Sequence, residues 1–195
     1  MRWLRLYARS RQIFLSLPAT VISGIAAAIP SWSGEQHSPD ARSLVLALSA
    51  GIAVASTGLG GQDVRLDRTG SLSWAWIRAA HALGIGMAAV TVLLALQVTT
   101  ETTTLLVIGR AACGLAGLAA IGAAVFGAAF AWAVPFAWCA VAYFVPPSGD
   151  RTVEIAAWMF QPADAAPSTW MSAALLVTGL VTYATAGPRP SVLAR

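Results

Sequence analysis

TLLVIGRAACGLAGLAAIGAAVFGAAFAWAVPFAWCAVAYFV, residues 104–145, is the stretch on which the fold turns. It is apolar almost throughout and carries one charge, Arg110. A single helix of this length, rising about 1.5 Å per residue, would be roughly twice as long as the hydrocarbon slab of a bilayer is thick. The chain must therefore fold back, and the glycines at 122–127 are where small residues permit it. The reading is a span over 104–122, a turn, and a span over 126–145. An open strand would leave backbone groups unpaired in lipid, and no ten-residue alternation of the barrel type is present, so every span is expected to be helical.

The same test applied outward along the chain yields four further spans, at 13–31, 43–60, 76–98 and 168–186. The stretch 43–60 is the most polar, because it holds Ser49, Ser56 and Thr57. The fold class expected is all-α: one polytopic bundle of six transmembrane helices over residues 1–195, in the cell membrane. Composition agrees. The 195 residues are 57% hydrophobic and 10% charged, with mean hydropathy +0.70. An ordinary soluble domain is about 25% charged, and one of this size could not bury so much apolar surface. No period of 20–50 residues and no separate soluble domain is visible.

All twelve basic residues are Arg, and the net charge is +4. These arginines lie at the edges of apolar runs, which points to orientation in a membrane and not to nucleic acid. With the N-terminus inside, the inner segments carry Arg2, Arg5, Arg9, Arg11, Arg65, Arg68, Arg189 and Arg195, while the outer loops carry Arg42 and Arg151. That asymmetry places both termini in the cytoplasm. Residues 1–12 read either as an amphipathic interfacial segment or as a plain positive tail. The basic, then apolar start resembles a signal peptide, but with no clean small-residue cleavage site and apolar runs continuing to the end it is expected to be retained. Trp32, Trp158 and Trp170 are expected at the outer interface and Trp74 and Trp76 at the inner one. In the long outer loop, Ile155, Trp158 and Met159 are spaced like one face of a short interfacial or re-entrant helix over 153–160. Pro18, Pro30 and Pro135 are expected to kink or end helices, Pro135 within the fifth span.

The inner loop 61–77 is the richest in polar pattern. Asp63, Arg65, Asp67 and Arg68 alternate in sign ahead of Gly70, which makes a polar elbow able to dock a soluble partner. The segment Asp67-Arg68-Thr69-Gly70-Ser71-Leu72 resembles the acidic-Arg-x-x-Gly-Thr-Leu element that follows the second span in permeases of the type-2 ABC exporter family. One residue fewer separates Arg from Gly here, and Ser stands for Thr. The plan is similar too: a basic N-terminal segment, six spans, and a longer outer segment before the sixth. The resemblance implies a permease subunit that forms a translocation path with a second membrane subunit, identical or different. It also implies a separate nucleotide-binding ATPase coupled through Asp63, Arg65, Asp67, Arg68 and Gly70. This chain has no phosphate-loop motif and no Lys, so ATP hydrolysis would belong to the partner.

Other residues carry chemistry of their own. Arg110 lies within the fourth span, where charge is costly. It reads either as a snorkelling or paired structural group, with Glu101 or an outer-loop acid as partner, or as part of a substrate path. Arg78 and His81 share a helix face near the inner end of the third span. They read as an interfacial anchor, and the lack of any Asp or Glu in the spans argues against proton coupling. Gly109, Cys113 and Gly117, with Ala112, Ala116, Ala120 and Ala124 in parallel, form ridges that let helices approach closely, within the chain or between subunits. Cys113 and Cys139 read as small buried hydrophobes. Metal-ligand, cofactor and catalytic patterns are missing, so no enzyme is expected. The rival to the exporter subunit is a non-transporting assembly, immunity or regulatory subunit in the membrane.

Overall fold

The computed structural model describes residues 22, 41–59, 74–97, 105–145, 150–162 and 164–187. Among these residues the structure is all helical, with no strand. Helix α1 is Ala41–Ser56, continued by a 3-10 turn at Thr57–Leu59. Helix α2 is Trp74–Gln97 and α3 is Leu105–Phe126. A 3-10 turn at Ala128–Phe130 leads into α4, Ala133–Phe144. The short α5, Arg151–Ala156, is followed by a 3-10 turn at Trp158–Phe160, and α6 is Ala166–Ala186. Two of these helices, over Leu106–Phe126 and Ala166–Ala186, are long and apolar enough to cross a membrane. The expected first span, 13–31, lies outside the described residues save for Ile22, which is helical.

Helix α3 forms the axis of the bundle. Its neighbours bury 78% of its apolar window, against 17% for α6. It packs closest on α6 and also touches α1, α2 and α4. Small residues make this possible: Ala111, Ala112, Ala116, Ala119, Ala120 and Ala123 are all buried. The tightest crossing sets Gly117 of α3 against Gly179 of α6. A Cβ on Gly117 would sit 2.6 Å from the Leu176 nitrogen, and one on Gly179 would sit 2.7 Å from the Gly117 Cα. The two backbones touch, with no room for any side chain between them.

Side-chain contacts fix the relative directions of α2, α3 and α6. Arg110, near the start of α3, reaches Gln161 and Pro162, just before α6, so α3 and α6 run parallel. Tyr183, near the end of α6, donates its hydroxyl to the Leu59 carbonyl at 2.6 Å, which brings the end of α1 to the same side. Arg78, near the start of α2, lies over Gly187, the cap of α6, so α2 runs the other way. Gly187 has φ +67°, the left-handed turn that ends a helix, and a guanidinium there faces the negative end of the helix dipole.

The break in 104–145 falls at Gly127, with φ 88°, while α3 runs unbroken through Gly122. Gly122 serves packing instead: a Cβ there would lie 2.8 Å from the Ala131 carbonyl oxygen. Pro135 corrects the expected kink. It is the third residue of α4, in the first turn, where its missing N–H has no helical partner to lose. Trp158 also departs from the interfacial place assigned to it and is fully buried, as is Met159, whereas Ile155 is exposed. The three do not share a face, because the helix tightens into a 3-10 turn after Ala157.

The outward surface is apolar. Met87, Leu106, Phe126, Phe130, Phe136, Val141, Phe144, Val177 and Val181 are all exposed. Hydroxyls on the helices bond back to their own backbone: Ser49 to the Leu46 carbonyl at 2.8 Å, Ser56 to Ala53 at 2.7 Å, Thr91 to Met87 at 2.8 Å and Thr185 to Val181 at 2.7 Å. Such bonds hide polar hydrogens where no water is at hand.

Candidate functional site

One group of polar features among the described residues lies where the segment 150–162 enters the bundle. Asp150 caps α5 by accepting from the Thr152 N–H at 3.1 Å. Trp138 of α4 donates its indole N–H to the Ala156 carbonyl at 3.0 Å, which satisfies an orphan acceptor at the end of α5. The 3-10 turn then drives Trp158 inward. Its six-membered ring rests on Gly114 of α3, where a Cβ would come within 2.7 Å of ring atom Cζ2. Only glycine leaves this notch open.

Arg110 lies one turn before Gly114, on the same side of α3. Its guanidinium donates to the Pro162 carbonyl at 2.8 Å and to the Gln161 carbonyl. The fork of Arg suits this, since two donors lie in one plane and grip two successive carbonyls. Among the described residues its bonded partners are main-chain oxygens. Asp164 is exposed and acts on Arg110 only through electrostatic attraction. Glu101 lies outside the described residues. At the same end, the Arg42 guanidinium sits 5.9 Å from the centre of the Phe160 ring, and Phe160 meets Tyr143 edge-on at 6.5 Å.

Helical rise converts these contacts into depth. Taking the Gly117–Gly179 crossing as the reference level, Trp170 stands about 13 Å to one side and Gly187 about 12 Å to the other. The Arg78 guanidinium lies at the level of Gly187, and Trp76, two residues earlier on α2, stands within about one helical turn of it. Trp76 and Trp170 are both exposed. The two aromatic levels are thus about 25 Å apart, close to the hydrocarbon thickness of a bilayer. On this scale Gly114, and with it the ring of Trp158, lies about 9 Å below the Trp170 level. Arg110 lies only about 3 Å below it, and α3 directs its side chains toward that same end.

The other expected residues separate. Arg78 and His81 are both half-buried near the opposite end, where Gly187 and the Tyr183–Leu59 bond also lie. Tyr183→Phe removes that bond and is expected to cost about 1 kcal/mol. A lower Tm of the purified protein in detergent would register it. Of the small-residue ridge, Gly117 is consumed by packing inside the chain. Gly109 has open space around it, and Cys113 is exposed, against the burial expected of it. Cys139 is buried. Gly109 and Cys113 line a cavity of about 160 Å³ with Leu83, Met87, Ala116 and Leu176. A larger cavity of about 590 Å³ runs beside α4 and is lined by Phe126, Val134, Trp138, Val141 and Ala156 among others. Asp63, Arg65, Asp67, Arg68 and Gly70 lie outside the described residues.

Sequence reading missed Gly114, Trp158 and the two carbonyls as parts of one arrangement. The signal available was an arginine and a glycine four apart in an apolar helix, with an aromatic–proline run, 158–162, in the loop that returns to it. Among the described residues no group of His, Cys, Asp and Glu is placed to hold a metal. No protein-family model matches the chain, and neither a curated protein nor a solved structure matches it.

Proposed function

We propose that the chain is a six-span subunit of the cell membrane with both ends in the cytoplasm, acting as the permease half of an ATP-driven exporter. The observation that carries the membrane part is the pair of exposed tryptophan levels about 25 Å apart, with apolar side chains facing outward between them. The arginine asymmetry of the loops supports the orientation. The exporter part rests on the resemblance at Asp67–Leu72 and on the similar order of segments. In this reading a separate ATPase docks on 61–77, and a second membrane subunit completes the path.

Two measurements test it. A cysteine introduced as Asp67→Cys is expected to resist a membrane-impermeant thiol reagent applied to intact cells, while Glu154→Cys reacts. A tagged chain solubilised from its own membrane is expected to carry an ATPase with a phosphate-loop motif, and Arg68→Ala to lower that recovery several-fold. Labelling of position 67 from outside would sink the topology, and a chain that never brings down an ATPase would sink the exporter reading.

A non-transporting assembly or regulatory subunit is the second reading, and one observation favours it. Both cavities are lined by apolar side chains, and the Arg110 guanidinium is committed to main-chain carbonyls. The two readings part on turnover: the co-purified ATPase would run equally well without this chain if the chain only assembles or regulates another complex.

A further inference from the structure

The cavity of about 590 Å³ beside α4 has the size of a ligand site, which usually measures about 300–1,000 Å³. It lacks the few polar groups that orient a ligand in most such sites. Its lining side chains are those of Phe, Val, Ala and Trp. The only polar atom these carry is Trp138 Nε1, and it already donates to the Ala156 carbonyl. A polar or charged guest would lose its hydrogen bonds to water and gain none in return. The chemistry selects hydrocarbon.

Depth selects which hydrocarbon. The Gly117–Gly179 crossing lies midway between Trp170 and Gly187, about 12–13 Å from each. Phe126, nine residues past Gly117, stands about 13 Å toward the Gly187 side. Val134 packs at Gly122, about 7 Å on that side. Helix α4 runs back from there, and Val141, seven residues on, stands about 3 Å past the crossing. The cavity therefore extends about 16 Å, from the Gly187 level to the midlevel, against about 15 Å for half a hydrocarbon slab. Toward the Trp170 side it is closed. Ala156 lies two residues before Trp158, whose ring rests at Gly114, and the Trp138 bond draws the end of α5 across the cavity. Along its flank it is open and continuous with the outward apolar surface, because Phe126, Ala137 and Val141 are exposed. A helix of a partner or of a second copy would cross the whole slab, whereas this groove is one leaflet deep.

We propose that the cavity holds one acyl chain of a bilayer phospholipid from the leaflet on the Gly187 side. The methyl end lies under Trp138 and Ala156, and the headgroup lies beyond Phe126. The proposal rests on the membrane reading and is independent of the exporter part.

The test uses the full-length protein. Native mass spectrometry of the detergent-solubilised protein is expected to show one retained phospholipid per chain. Ala137→Phe fills the groove from an exposed position, so it is expected to fold with wild-type Tm and to retain at least ten-fold less lipid. In phosphatidylcholine vesicles, the emission removed by Trp138→Phe reports on Trp138. Bromines near the methyl end of the lipid chains are expected to quench it at least two-fold more than bromines near the carbonyl, and Ala137→Phe to abolish that excess. Equal lipid retention in wild type and Ala137→Phe would overturn the proposal, as would a second copy of the chain retained in place of lipid. Stronger quenching from the carbonyl end would overturn the orientation of the chain. A protein that stays in solution without detergent would sink the membrane reading itself, and the proposal with it.

Discussion

Gly117→Val is expected to leave no folded protein. The Cβ alone would fall on the Leu175 carbonyl, and the α3 and α6 backbones would have to separate along their main contact. Overpacking a core usually costs about 1–3 kcal/mol when side chains can shift. Here main chain blocks main chain, so the cost exceeds about 3 kcal/mol, a large share of ordinary total stability. Gly179→Val should fail in the same way, for it meets Gly117 from the other side. Gly109→Ala is the control on the same ridge. It has open space and should be neutral or stabilising by up to about 1 kcal/mol through helix propensity. Size-exclusion profiles and Tm of the solubilised variants decide it. A monodisperse Gly117→Val protein with wild-type Tm would refute the crossing.

Arg110→Met is the second large effect. It keeps much of the stem and removes the fork that grips the Gln161 and Pro162 carbonyls. Each bond from a charged donor contributes about 1.5–3 kcal/mol, and removal leaves two acceptors to find new partners. Relief of a buried charge returns part of this, so a net loss of about 3 kcal/mol is expected. The turn should then release Met159, which is fully buried. With Cys113 and Cys139 replaced by Ala, Met159→Cys is expected to resist an impermeant thiol reagent while Arg110 is present. Adding Arg110→Met should raise the labelling rate at least ten-fold. Arg110→Lys should fall between, because one ammonium cannot present two coplanar donors. Unchanged labelling in Arg110→Met would show that the turn is held by other contacts.

How far these features could be read in one dimension depended on whether their causes were local. The helix Trp74–Gln97 and the helix Ala166–Ala186 follow apolar runs bounded by polar residues, and composition alone marks such runs. The turn after α3 was harder, since Gly122 and Gly127 look alike in sequence. One fills a tight contact with Ala131 and the other supplies positive φ. Trp158 misled because aromatic residues near a span end usually sit at the interface. Its burial depends on a notch at Gly114, far away along the chain. Arg110 stood out as a charge in an apolar helix, yet its acceptors are carbonyls, which every residue carries and no sequence pattern distinguishes. The exposed flank of the small-residue ridge had no marker either. Gly109 and Gly117 sit two turns apart with the same spacing rule, and only the approach of α6 tells them apart.

The shortness of α4 carries a consequence for the lipid itself. Twelve residues rise about 18 Å, and the 3-10 turn before them adds about 6 Å, against a slab of about 30 Å. In the membrane reading, the flank bearing Phe130, Phe136, Val141 and Phe144 is too short for its surroundings, whereas α6 on the other flank is not. Annular lipid would have to pinch on one side only, at fractions of a kcal/mol per Å. The protein would then favour shorter acyl chains beside α4, and a membrane thickened with longer ones would press that flank toward any neighbour able to cover it.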